Sequence, residues 1–319
     1  MYRPLLAIAA TCLACSAVQA APGDALHRLA DPNGGLIVVA HRGCHEAAPL
    51  HGLGTTPENS LAALRQCVAL GADVMETDVR RSRDGYLVIM HDDTVDRTTN
   101  GTGKVADLSL AQLKALLLRQ DEGGAAAPLS DQQIPTLDEL LALAKGRIVL
   151  NLDVKDMIYG EVVDAVHRAG VQDRVIVKTF AGVASVPLAT IPPYDRVPFM
   201  VIPITADTAA ADVPQIIATQ MQGRIKPIAF ELPVLPLTTL PTVMTRARTL
   251  GVPIWINTLF TGFVTGMGGD PEARRDPAAV WGRLTDMGAR LIQTDAVEAL
   301  LRYREQRRIA PRRAGENTR

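Results

Sequence analysis

The sequence carries no excess of charge of either sign: 33 lysines and arginines stand against 34 aspartates and glutamates, a formal net charge of -1 over 319 residues. That balance removes the electrostatic case for a nucleic-acid partner. Cysteine is scarce, four residues in all, and only Cys44 and Cys67 lie beyond the first twenty positions. Past those positions there is no apolar run long enough to cross a membrane, no short repeat and no coiled-coil heptad. Stable membrane insertion is therefore not expected of the body of the chain, which reads as soluble.

The N-terminus is the exception. Arg3 precedes an apolar run from Leu5 to Ala17, and Val18-Gln19-Ala20 offers small residues for cleavage before Ala21-Pro22. This run is too short to span a bilayer and has the layout of a secretory signal. Residues 1–20 are read as a signal peptide, 21–319 as one barrel domain, and the protein as exported, to a bacterial periplasm. A second reading anchors it through Cys15, which follows Leu13-Ala14 as in a lipoprotein acylation site. Export would permit a disulfide between Cys44 and Cys67, although their spacing does not pair them.

What is present is a regular alternation of apolar, β-rich runs with amphipathic ones. Strands are expected near 36–41, 73–78, 147–153, 174–179, 197–203, 226–231, 252–257 and 290–294. Helices are expected near 58–70, 136–145, 160–169, 181–190, 209–221, 238–250, 277–288 and 296–308. Eight strand-helix units with near-continuous apolar strands predict an α/β fold, a (β/α)8 TIM barrel. One stretch breaks the alternation. Between Asp78 and Tyr86 there is no room for a crossover helix, and Arg83-Asp84-Gly85 is a turn signal, so 86–91 should return antiparallel as a β-hairpin extension after the second barrel strand. Loops 92–108 and 119–135 should lie outside the barrel core. The loop from Thr261 to Asp270 should sit on the active face.

Glu76 and Asp78 are two apart on one strand and so share a face, the barrel interior. Two carboxylates there repel unless a cation lies between them, and Asp153, at the end of the next barrel strand, is the natural third oxygen ligand. With no Cys or paired His beside them, the set favours Ca²⁺ or Mg²⁺. The alternative is a structural network with Lys155 and Arg42. His41 and His91 flank the acids from two segments and suit a general base and general acid. Arg42 and Lys155 supply positive charge for phosphate oxygens. Glu58 can be a first-turn acid of a helix, a partner orienting Arg42, or both. His45, His51 and His167 receive no role; the first two are read as solvent-exposed. The basic tail from Arg302 to Arg319 is read as a solvated end.

At this point the chain resembles the glycerophosphodiester phosphodiesterase family. The likeness runs through His41-Arg42-Gly43, Pro57-Glu58-Asn59-Ser60, Gly71 to Val79, Asp84-Gly85, Val88 to Asp92, Thr99-Asn100-Gly101-Thr102-Gly103, Ile134 to Glu139 and Ile292-Gln293-Thr294-Asp295. It implies a barrel enzyme that hydrolyses a small-molecule glycerophosphodiester to sn-glycerol 3-phosphate and an alcohol. One divalent ion, Ca²⁺ or Mg²⁺, would sit on Glu76, Asp78 and the Asp153 position, with His41 and His91 as acid-base pair. There are departures. The family usually has Glu at Asp153, a shorter stretch from His41 to Pro57, and Ser-Phe where Lys178-Thr179-Phe180 stands. Trp255-Ile256-Asn257-Thr258 rearranges its usual Trp-Thr-Val-Asn. The last positions are expected to line the mouth, with Trp255 touching substrate, so they bear on substrate choice more than on reaction type. A related exported or phospholipase D-like phosphodiesterase, and a non-catalytic phosphate-binding protein, are the alternatives. A zinc amidohydrolase would want His-x-His where Arg42-Gly43 stands.

Overall fold

The computed structural model describes residues 25–204, 209–264 and 266–309. The signal-peptide reading, Cys15 and the end of the basic tail fall outside these. The strands are β1 (Ile37–Ala40), β2 (Val74–Arg81), β3 (Leu87–Ile89), β4 (Val149–Val154), β5 (Val175–Phe180), β6 (Phe199–Ile202), β7 (Phe230–Glu231), β8 (Ile254–Asn257) and β9 (Ala289–Thr294). Eight of them run parallel in the order β1-β9-β8-β7-β6-β5-β4-β2, and β1 also pairs with β2, which closes the barrel. Val39 lies opposite Val74 at that closure, and Ile37 opposite Leu291 on the other side. Each expected barrel strand is present. Every residue of β1, β4 and β8 is buried, as parallel strands covered on both faces require. Strand β3 folds back antiparallel on β2, Ile89 opposite Val79, and forms the expected hairpin.

The helices are α1 (Ala25–Ala30), α2 (Leu61–Leu70), α3 (Leu110–Lys114), α4 (Leu137–Ala144), α5 (Tyr159–Ala169), α6 (Val213–Gln220), α7 (Leu240–Leu250), α8 (Asp270–Arg275), α9 (Arg283–Met287) and α10 (Val297–Ile309). Their ends follow local chemistry. Ser60 accepts from the Ala63 amide at 3.0 Å to start α2, and Gly71, at φ 77°, ends it in the left-handed conformation. Thr136 and Glu139 form a capping box on α4. The helix expected at 181–190 is absent. Only a 3₁₀ turn, Leu188–Thr190, forms there. Pro187 lacks an amide hydrogen and disfavours a helical Val186, and Val183 and Val186 are β-branched. The helix expected at 277–288 opens as a π turn, Ala278–Gly282, before α9.

Two cores divide the barrel. Outward-facing strand residues pack under the helices in the larger one. The inner one stacks Ile37, Val39, Val74, Val149, Ile176, Met200, Trp255 and Leu291, and α1 adds Ala25 and Leu29. These side chains fill the barrel interior, so chemistry is left to the opposite, carboxyl end of the strands. Trp255 belongs to this floor and is fully buried. It does not line the mouth as expected, because inward-facing strand positions must first fill the barrel. The loops around α3 pack in a separate cluster of Val88, Met90, Val95, Val105, Leu113, Leu118 and Ile134, outside the barrel core as expected.

Candidate active site

The three acids meet at the carboxyl end of the barrel. Register sets Asp78 beside Asp153 and Asp153 beside Lys178. Carboxylate oxygens of Glu76, Asp78 and Asp153 lie within 4.8 Å of one another, and all three residues are buried. Lys155 Nζ stands 2.9 Å from Asp78 and 2.9 Å from Asp153. Lys178, buried and not foreseen in this role, reaches Glu76 and Asp153 at 3.4 Å each and Glu231 at 3.2 Å. Asn257 donates to Glu231 at 2.8 Å, and the Trp255 indole donates to Asn257 at 2.8 Å. Trp255 thus contributes through this chain, below the mouth.

The charge states follow from these neighbours. Burial opposes ionisation of Asp78, yet Lys155, His91 and Arg42 together hold its carboxyl well below the usual range. Burial raises that of Glu76, against the pull of Lys178. Among the described residues the buried Asp78 Oδ1 and Glu231 Oε2 atoms accept no hydrogen bond and are faced by the ammonium groups of Lys155 and Lys178. Three close carboxylates with an acceptor in that state fit a hard divalent cation, and Glu76, Asp78 and Asp153 could hold a metal ion.

The turn after β1 presents Arg42. Arg42 and Gly43 both have positive φ, 51° and 88°. At Gly43 a Cβ would also lie 2.7 Å from that of Ala63, so only glycine fits. The Arg42 amide donates to Glu76 at 2.9 Å, and its guanidinium reaches Glu58 at 3.1 Å. Glu58 lies before α2 and orients Arg42; it also binds Arg97 through two hydrogen bonds of 2.8 and 2.9 Å. Arg97 in turn grips Asp92, which accepts from His91 Nδ1 at 2.8 Å. Burial lowers the pKa of His91, with Arg42 and Lys155 adding to it. The sequence alone assigned no role to Arg97 or, beyond its place in the family motif, to Asn59. Asn59, at φ 53°, donates to Asp78 at 2.8 Å and accepts from Thr77 at 2.7 Å. Its place after Glu58, in a residue type that tolerates left-handed backbone, was the available signal.

His41 follows β1, and its Nδ1 pairs with Asp295 Oδ1 at 2.9 Å. The same oxygen meets His45 Nε2 at 3.0 Å, while His45 Nδ1 meets Asp121 at 2.6 Å. His45 is buried, contrary to the exposed position expected; burial disfavours its charged form, but the two carboxylates raise its pKa to about 10. His51 is about half exposed and pairs with Glu298 at 2.7 Å. Cys44 and Cys67 form a disulfide, Cα atoms 5.1 Å apart, tying the turn after β1 to α2.

A model of the glycerophosphoryl diester phosphodiesterase family matches residues 41–299. The chain belongs to that family. A glycerophosphodiester phosphodiesterase of Caldanaerobacter subterraneus subsp. tengcongensis is 35% identical over 152 residues, 45% of this chain and 58% of that protein. The match thus spans little more than half of that relative. Among solved structures, a glycerophosphoryl diester phosphodiesterase from Parabacteroides distasonis superposes with a TM-score of 0.67 at 20% identity, covering 87% of this chain and 88% of that one. An Oleispira antarctica phosphodiesterase, solved with the product sn-glycerol-3-phosphate, gives 0.58 at 20% identity, covering 85% and 97%. At these identities the likeness is one of fold. The family match includes every residue that forms the acid cluster and both histidine pairs.

Proposed function

We propose that the protein hydrolyses glycerophosphodiesters to sn-glycerol 3-phosphate and an alcohol, using one Ca²⁺ or Mg²⁺ ion at Glu76, Asp78 and Asp153. The observation that carries this reading is the convergence of those buried acids with two histidines, each backed by a carboxylate, in a chain of this family. When bound, the ion would offset charge on the phosphoryl oxygens. Among the described residues Arg42 Nε has no hydrogen-bond partner and stands 3.9 Å from Asp78 Oδ2, suited to a substrate oxygen beside the acids. Glu58 holds the rest of that guanidinium in place. Lys155 adds a second cation to the phosphate site.

The two histidines take different roles. Asp92 accepts from the Nδ1–H of His91, which leaves Nε2 as the basic atom, and the lowered pKa keeps that ring neutral and ready to take the nucleophile's proton. Asp295 and His41 form the matching pair on the other side, so His41 Nε2 is assigned to protonate the departing alkoxide. Export of the protein is part of the same reading, and the Cys44–Cys67 disulfide supports it, since such bonds persist in oxidising compartments. The direct test is release of glycerol 3-phosphate from glycerophosphocholine before and after exhaustive chelation. Chelation should abolish release, and re-addition of Ca²⁺ or Mg²⁺ restore it; full activity in metal-free protein would overturn the ligand assignment.

A further inference from the structure

Asp295 does more than back His41. His41 Nδ1 and His45 Nε2 both point at its Oδ1 atom, at 2.9 and 3.0 Å, so two ring nitrogens converge on one oxygen. Ligand atoms of His41, His45, Asp295 and Glu122 all lie within 4.8 Å of one another. Ligands about 2.0–2.1 Å from a tetrahedral zinc ion lie roughly 3.3 Å apart, so the cluster needs little adjustment to hold one. On its other side His45 Nδ1 meets Asp121 Oδ1 at 2.6 Å, the kind of backing that orients a metal-bound imidazole and raises its basicity. Asp121 is itself held by backbone, its amide donating to the Thr56 carbonyl at 3.1 Å and its carbonyl accepting from the Glu58 amide at 2.9 Å. The Glu122 carbonyl accepts from Arg97, but among the described residues its carboxylate has no hydrogen bond or ion pair. Asp121, Glu122 and Asp295 place three carboxylates around two rings, and the neighbouring Glu46 is matched by Arg274. Negative charge is therefore in excess even with both rings protonated.

We propose that His41 Nδ1, His45 Nε2, Asp295 and Glu122 form a second metal site, suited to zinc-class divalent ions, which when filled withdraws His41 from the reaction. Binding stands on these side chains alone; its effect on turnover rests on the phosphodiesterase reading above. Ligand type separates the two centres. Two imidazole nitrogens with two carboxylates suit Zn²⁺ and its neighbours in the transition series, whereas the oxygen donors of Glu76, Asp78 and Asp153 suit Ca²⁺ or Mg²⁺. Entry needs no opening of the fold, because Glu122 is exposed and the Asp121 side chain is half exposed. The ion takes the place of the protons that join Asp295 to the two rings. With its Nδ1 lone pair on the metal, His41 can no longer become an imidazolium steadied by Asp295, and its Nε2–H is a far weaker acid towards a departing alkoxide. The site thus takes the rear nitrogen of a ring whose front nitrogen faces the cleft.

The test holds the protein in excess Mg²⁺, to fill the acid cluster, and titrates Co²⁺ as a coloured stand-in for Zn²⁺. One Co²⁺ per chain should bind with the visible absorption of a four-coordinate nitrogen–oxygen site, and Zn²⁺ should bleach it. His45→Gln should abolish that absorption. Glu122→Gln should weaken binding by about tenfold or more and Asp121→Asn by about 10- to 100-fold. His51→Gln, at a ring that pairs with Glu298 instead, should leave it unchanged. Thermal midpoints check that the variants fold. Hydrolysis of glycerophosphocholine by the wild type gives a readout that needs no variant: Zn²⁺ should slow it, and raising Mg²⁺ should not relieve the inhibition. Glu122→Gln should match the wild-type rate without zinc and need about tenfold more zinc for the same inhibition. Inhibition that Mg²⁺ reverses would put the zinc on the acid cluster and overturn the second site, as would Co²⁺ absorption that survives His45→Gln or is absent from the wild type. Co²⁺ bound at undiminished turnover would overturn the withdrawal of His41. Failure to hydrolyse any diester, with the His45-dependent absorption intact, would remove the phosphodiesterase reading and leave the metal site standing.

Discussion

At the scale of single residues the site is organised by carboxylates that hold cations and rings in fixed orientations. Asp295 accepts from two histidines, Asp92 from His91 and Arg97, and Glu58 from Arg42 and Arg97. The Asp295 and Asp92 pairings fix which nitrogen of His41 and of His91 faces the cleft. His41→Ala and His91→Ala should each lower kcat by on the order of a hundredfold, and the double variant should be little worse than the worse single one, because both groups act in one step. A diester with a p-nitrophenol leaving group separates them. It barely needs a proton on departure, so it should rescue His41→Ala and leave His91→Ala impaired. Rescue of the opposite variant would exchange the assigned roles, and near-normal turnover in both would make the rings structural.

At the scale of elements, strand ends and the loops after them decide the geometry. The hairpin of β2 and β3 delivers His91 to the Asp78 side of the cluster, where the two influence each other's charge. The loop after β1 is pinned by the disulfide to α2 and buries His45 between Asp121 and Asp295. That burial has a consequence for pH. The folded pKa of His45 is raised to about 10 from 6.5, so the stability gained from its charged form is fully present below pH 6.5 and is lost as pH rises through about 10. His45→Gln removes the titration. Thermal midpoints of wild type and variant should therefore differ most near pH 6 and converge towards pH 10. A constant difference across that range would mean that His45 contributes packing and not charge.

At the scale of the whole molecule, one end of the barrel is a packed floor closed by α1, and the other carries the site. The proposed export of the chain belongs to this scale too. Mass measurement of the N-terminus of protein isolated from its native host should show a chain beginning at Ala21. Retention of Met1 would argue against processing, and a lipidated Cys15 would replace the free form with an anchored one.

The sequence by itself determined the strand count, the hairpin and the shared face of Glu76 and Asp78, because periodicity and spacing are local. Glu76 and Asp78 share a face whatever surrounds them, and Arg83-Asp84-Gly85 turns the chain wherever it lies. Tertiary structure alone decided matters that depend on partners distant in the chain. Lys178 enters the acid cluster through the pairing of β4 with β5, and Asp295 meets His41 only because β9 lies beside β1. His45 is buried because Asp121 and Asp295 converge on it, and Trp255 lies in the floor because the barrel closes around it. The helix missing at 181–190 is a smaller case, in which proline and β-branched residues outweighed an amphipathic pattern. In each of the other cases the deciding force is burial or charge between segments far apart in sequence, which no window along the chain contains.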